Sequence, residues 1–161
     1  ANNDDSTSLI TDKVYDRAMP IDINDKSVPF EPRPTEAQDI NFTYLDKLFD
    51  TAIEENQMTQ ETLDKIEQMD DYVIQHFRIA FGNRIVKHMK KFVPIYVACG
   101  GNEIDAVDYF IAKKILRKFE QLNLAYIKDE IDPYIAFLDR TFGKNAMKEC
   151  IEYLLRLKKI A

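Results

Sequence analysis

Few side chains in this 161-residue sequence have the type and spacing to do chemistry. The carboxylate pairs Asp4-Asp5, Glu54-Glu55 and Asp70-Asp71 are adjacent. On a helix, neighbours point about 100° apart, so none of them converges on one substrate atom as an acid/base pair, and they read as solvent-facing. His76 and His88 are the only histidines, and neither Cys99 nor Cys150 stands at metal-ligand spacing from them. Zinc chemistry has little support, and no metal site is expected. No Ser-His-Asp or Cys-His arrangement stands out. The glycines are Gly82, Gly100, Gly101 and Gly143, and none falls into a GxxxxGK[ST] or GxGxxG loop that would cradle phosphates. The cations Lys113, Lys114, Arg117 and Lys118 lie three and four apart, which makes a basic stripe along a helix. It reads first as a solvated face. Nucleotide, nucleic acid or the acidic half of the chain are its other possible contacts.

Charge is unevenly spread. Residues 1–75 carry 18 Asp/Glu against 6 Lys/Arg, a net of −12, and residues 76–161 carry 10 against 16, a net of +6; together they give the overall −6. Non-specific binding of nucleic acid by the whole chain is therefore disfavoured, while a basic face in the second half stays open. Two cysteines far apart, each in an apolar helical pattern, predict buried free thiols rather than a disulfide. No apolar run approaches the roughly 18 residues of a membrane span, and no signal-like segment opens the sequence, so the cytoplasm is the simplest compartment. A start at Ala1 without Met, running into Asn2-Asn3-Asp4-Asp5, suggests a fragment.

The elements that must position these residues are mostly helices. Residues 1–25 read as a polar loop, a short helix over Leu9 to Ala18 and a brief strand over Met19 to Ile23. With Pro20 inside it, that strand is an edge or a start. Pro29, Pro32 and Pro34 keep residues 24–34 irregular. Thr35 with Gln38 makes a capping box for a helix reaching Asn56, and Thr59 caps a second with the stripe Leu63, Ile66, Met69, Val73, Phe77 and Ala80. Gly82-Asn83 breaks it and begins a third, which carries Pro94 and ends at Gly100-Gly101. Asn102 caps a fourth, reaching Phe119. Asp132-Pro133, a cap residue followed by proline at the first helical position, predicts the start of a fifth that ends at Gly143. Ala146 to Ile160 makes the sixth. Three parts follow: an N-terminal piece over 1–25, a linker and helical insertion over 26–58, and a helical unit over 59–161. The fold class is mainly α, a multi-helix bundle with an N-terminal loop, short helix and short strand attached.

The N-terminal piece carries a resemblance. Asn2-Asn3-Asp4-Asp5-Ser6-Thr7 followed by Lys13-Val14-Tyr15-Asp16-Arg17-Ala18 resembles AAA+ ATPases related to the methylcytosine restriction motor McrB. In those, the sensor-1 strand ends in Asn before an acidic, hydroxyl-rich turn and a short helix ending in Asp-Arg-Ala. Phe81-Gly82-Asn83-Arg84 is similar to the family's Phe-Gly-x-Arg at the start of a lid helix. Asp105 to Tyr109 and Lys114-Ile115-Leu116 are similar to its next helix. The resemblance covers roughly residues 2–24 and 59–120, and residues 31–57 look like a family-variable insertion.

This resemblance implies that Asn2, or Asn3 if the register shifts by one, is the sensor-1 residue holding the attacking water. It implies that Arg17 is an arginine finger acting on a neighbouring subunit's nucleotide, with Asp16 orienting it or contacting the neighbour, and that Arg84 is the sensor-2 arginine of the lid. A permanently charged planar guanidinium suits phosphate, and a helix N-terminus favours anions. The full-length protein is then an NTP hydrolase using ATP or GTP with magnesium, assembled as a homo-oligomeric ring, with a nuclease subunit and DNA as possible partners and no membrane. The fragment lacks the phosphate loop and the Asp-Glu that holds magnesium, so it binds no nucleotide tightly and is inactive alone. The alternatives are a non-enzymatic helical interaction module and a helical nucleic-acid-binding domain.

Overall fold

The computed structural model describes residues 17–21 and 26–160. Among the described residues there are six α-helices: α1 Phe42–Glu55, α2 Gln60–Phe77, α3 Asn83–Ala98, α4 Glu103–Lys114, α5 Leu124–Phe142 and α6 Lys148–Ile160. A 3₁₀-helix, Leu116–Gln121, joins α4 to α5, and no strand occurs among the described residues. The fold is mainly α, a multi-helix bundle. Asn2, Asp16 and most of the expected finger helix lie outside the described residues. Arg17 and Ala18 stand in a turn and bend, and Met19 to Ile21 form no strand.

Packing follows the apolar stripes. α3 lies between α1 and α4, α4 packs on α6, α6 on α5, and α5 on α2. Ile66, Met69, Val73 and Phe77 bury one face of α2, while Ile127, Ile131, Tyr134 and Leu138 recur at four-three-four spacing and bury one face of α5. Phe77, Phe119, Tyr134 and Phe137 join in an aromatic cluster at the centre.

Several helix ends are where the residues place them. Thr59 caps α2, its hydroxyl accepting from the Thr62 N–H. Asn102 caps α4 by accepting from the Asp105 N–H. α3 ends in a Schellman motif, with Gly100 N–H donating to the Val97 carbonyl and Gly101 N–H to that of Tyr96. Gly100 has φ 93°, which favours glycine, and a Cβ on Gly101 would run into the Tyr96 ring and make it shift.

Four local expectations are corrected. Residues 35–40 are irregular and exposed, and α1 starts later because Asn41 rather than Thr35 accepts from an orphan helix N–H, that of Tyr44 at 2.8 Å. α2 stops before Ala80, which is exposed, because Arg78 takes a left-handed conformation (φ 57°, ψ 31°). α4 gives way to 3₁₀ geometry after Lys114, so the basic residues 113–118 do not share one α-helical stripe. α5 runs straight through Asp132-Pro133 from an Asn123 cap. Proline there forfeits the hydrogen bond to the Asp129 carbonyl, but fully buried Ile131 and Tyr134 on either side hold the helix together by packing.

Candidate functional site

The two arginines singled out by the sequence converge on one helix. Arg84 sits exposed in the first turn of α3, just after Gly82, the N-cap. That turn is held in place from behind: Phe81 is buried, and its N–H donates at 2.7 Å to the Asp70 carboxylate on α2. A Cβ at residue 82 would meet no heavy atom within 4 Å, so the helix N-terminus is open toward solvent.

The segment carrying Arg17 lies against the same helix farther along. Arg17, Ala18 and Met19 line a groove of about 320 Å³ with His88, Lys91, Phe92 and Ile95 of α3 and with Phe110 and Lys114 of α4. The buried Lys114 ammonium donates to the Ala18 carbonyl, which fixes this segment to α4. Arg84, His88 and Lys91 follow at four- and three-residue spacing, hence along one face of α3. The groove therefore has an apolar floor and a cationic rim. Asn2, the remaining predicted site residue, lies outside the described residues.

The field of these cations is felt by His88. Burial, then Lys114, Arg84, Lys91 and Lys87 in that order, hold its imidazole below the ordinary histidine value of 6.5. A lowered value means that protonation is resisted in the fold, and that the penalty for a neutral His88 grows as pH falls below 6.5. An NMR titration of the His88 ring is expected to show a midpoint under 6.5. In Arg84→Gln the midpoint moves upward, and an unmoved midpoint would mean that Arg84 points away from the groove.

The basic residues 113–118 are not the solvated face their spacing suggests. Lys114 is buried, and Lys113 is half-buried, 5.5 Å from the Tyr109 ring centroid and 3.9 Å from a Glu149 carboxylate oxygen. The cysteines also divide. Cys150 is buried as expected, whereas Cys99 is exposed at the end of α3. His76 pairs at 2.8 Å with Glu130 and stacks on Tyr72, a structural contact between α2 and α5. Among the described residues, no group of three or more His, Cys, Asp or Glu side chains could hold a metal ion. Nor is any helix among them long and apolar enough to cross a membrane.

Sequence reasoning missed Asp108, which lies on an otherwise apolar face of α4. It is 3 % exposed, and its two carboxylate oxygens accept from the Glu149 and Cys150 N–H groups at 2.8 and 2.9 Å. These are orphan donors at the start of α6, whose first carbonyl comes from Met147, a residue unable to cap with its side chain. The signal was there: a helix start without a capping residue, and a carboxylate inside an apolar stripe.

Comparison of the chain with protein-family models, curated proteins and solved structures gives no match.

Proposed function

We propose that the chain is the C-terminal part of an AAA+ NTPase of the kind the sequence resembles, contributing an arginine finger, Arg17, and a lid arginine, Arg84, to nucleotide sites completed by the rest of a larger cytoplasmic protein. The observation that carries this is the groove that the Arg17 segment lines together with α3, the helix that Arg84 opens. Two cations 67 residues apart in sequence (84 − 17) are thereby brought beside one helix.

The residues present suit a phosphate. Arg84 stands exposed at an open helix N-terminus where no Cβ intrudes, and Arg17 is exposed at the groove rim. Nucleotide with magnesium, ATP or GTP, would supply the transferring phosphoryl group. Arg17 would neutralise charge on that group across a subunit boundary, and Arg84 would couple the nucleotide's presence to movement of the helical lid. The full protein would assemble as a homo-oligomeric ring, with a nuclease subunit or DNA as its target.

The test is the coding sequence upstream of Ala1. A GxxxxGK[ST] loop followed by a hydrophobic strand ending in Asp-Glu, within roughly 150–200 residues, is expected. A start codon immediately before Ala1 would refute the reading. The second reading, a helical interaction module without enzymatic activity, is favoured by one observation, the uncovered apolar face of α1 described next.

A further inference from the structure

We propose that the N-terminal half of α1 docks head-to-tail into the Arg17–Lys91 groove of a second copy of this chain. The apolar stripe of α1 is covered at one end only. Ala52 is buried and Ile53 half-buried against α3, whereas Phe42, Leu45 and Phe49, continuing the same stripe at helical spacing, are 78 %, 40 % and 41 % exposed. Contiguous exposed aromatic and aliphatic side chains on one helix face mark an interaction surface.

Charge identifies what covers it. Residues 36–55 hold six carboxylates, Glu36, Asp39, Asp46, Asp50, Glu54 and Glu55, against the single cation Lys47. Asp46 and Asp50 follow Phe42 at successive four-residue steps and so run along one edge of the stripe. Two α1 helices pressed face to face would set these acidic edges against each other, which is repulsive. The Arg17–Lys91 groove has the opposite character. Met19, Phe92 and Ile95 offer apolar surface, Arg17 and Lys91 are exposed at its rim, and no carboxylate lines it among the described residues. Its volume of about 320 Å³ has room for an aromatic anchor.

Helix face and groove are open in the same molecule, and the C-terminal half of α1 packs on α3, where Ile53 borders a second hollow beside Val86, Lys87, Lys90 and Lys91. A patch and a complementary groove on different surfaces of one chain pair heterologously, closing to a ring or continuing as a filament. The inference does not rest on a nucleotide role for Arg17, and no nucleotide enters its test.

Sedimentation of the 161-residue chain over a range of concentrations is expected to show association that weakens as salt rises. Phe42→Ser/Phe49→Ser removes the docking helix and leaves the groove. Lys91→Glu spoils the groove and leaves the helix. Phe42 and Lys91 are exposed and Phe49 is 41 % exposed, and circular dichroism is to establish that each variant is folded. Each variant alone is expected to be monomeric where the parent associates, with a dissociation constant raised at least ~10-fold, about 1.4 kcal/mol or more. Mixed in equal amounts, the two variants are expected to form a one-to-one dimer and nothing larger, because that mixture contains one intact joint. A monomeric parent chain, association surviving in either variant, or a mixture that stays monomeric would overturn the proposal.

Discussion

Arg17→Ala in the full-length protein is expected to lower nucleotide turnover by roughly 10³- to 10⁵-fold while leaving nucleotide affinity nearly unchanged, the range spanned by arginine fingers in phosphoryl transfer. The expectation follows from the proposed function. A cation that reaches the transferring group only from a neighbour contributes to the transition state far more than to ground-state binding, so its loss falls on turnover. Arg17→Lys should recover little, since an ammonium keeps the charge but not the planar two-pronged donor geometry. Because Arg17 also stands at the rim of the proposed docking groove, turnover is to be compared at concentrations where sedimentation shows wild type and variant equally assembled. Unchanged turnover in such assembled variants would remove the finger role and leave Arg17 as a groove-rim cation.

Arg17 and Arg84 illustrate what the sequence could and could not reveal. Among the described residues, helix number and most boundaries were legible because they rest on local chemistry: Thr59 and Asn102 as caps, Gly100-Gly101 as a C-terminal stop, and apolar residues recurring at three and four. The reach of α5 was not, because Asp132-Pro133 carries the local signature of a helix start, while Ile131 and Tyr134 bury a continuous face on both sides of it. Local preference lost there to tertiary packing. The early stop of α2 was hidden for a different reason. Arg78 adopts the left-handed cap conformation that glycine or asparagine would have announced. For the site, spacing suggested that residues 113–118 make one solvated stripe. The groove instead draws Lys114 inward onto the Ala18 carbonyl and joins it to Arg17, His88 and Lys91, a set drawn from three segments that no single periodicity links.

The same dependence on distant partners makes Asp108 a residue whose loss should cost considerable stability. Asp108→Ala leaves the Glu149 and Cys150 N–H groups without the carboxylate that caps α6, at a place too buried for water to substitute freely. The expected destabilisation is about 2–4 kcal/mol, from one lost cap and up to two unsatisfied donors. In a thermal melt that corresponds to a fall of roughly 5–15 °C for a chain of this size. Asp108→Asn keeps one acceptor but turns an amide donor toward the second N–H, so an intermediate loss is expected.

Acidity adds a second readout for the same residue. Burial raises the Asp108 carboxyl above its ordinary value of 3.8, outweighing the hydrogen bonds from Cys150 and Glu149 that favour the anion. The folded chain thus holds this proton more tightly than the unfolded one. The stability linked to it is present in full below 3.8 and is lost as pH rises through the folded value. Asparagine does not titrate, so the advantage of wild type over Asp108→Asn should be larger in mild acid and should shrink as pH rises toward neutrality. Denaturant titrations of both proteins across that interval would measure it. An advantage that grew with pH would mean that the two N–H donors, rather than burial, dominate at Asp108, and that α6 is capped by a carboxylate held charged.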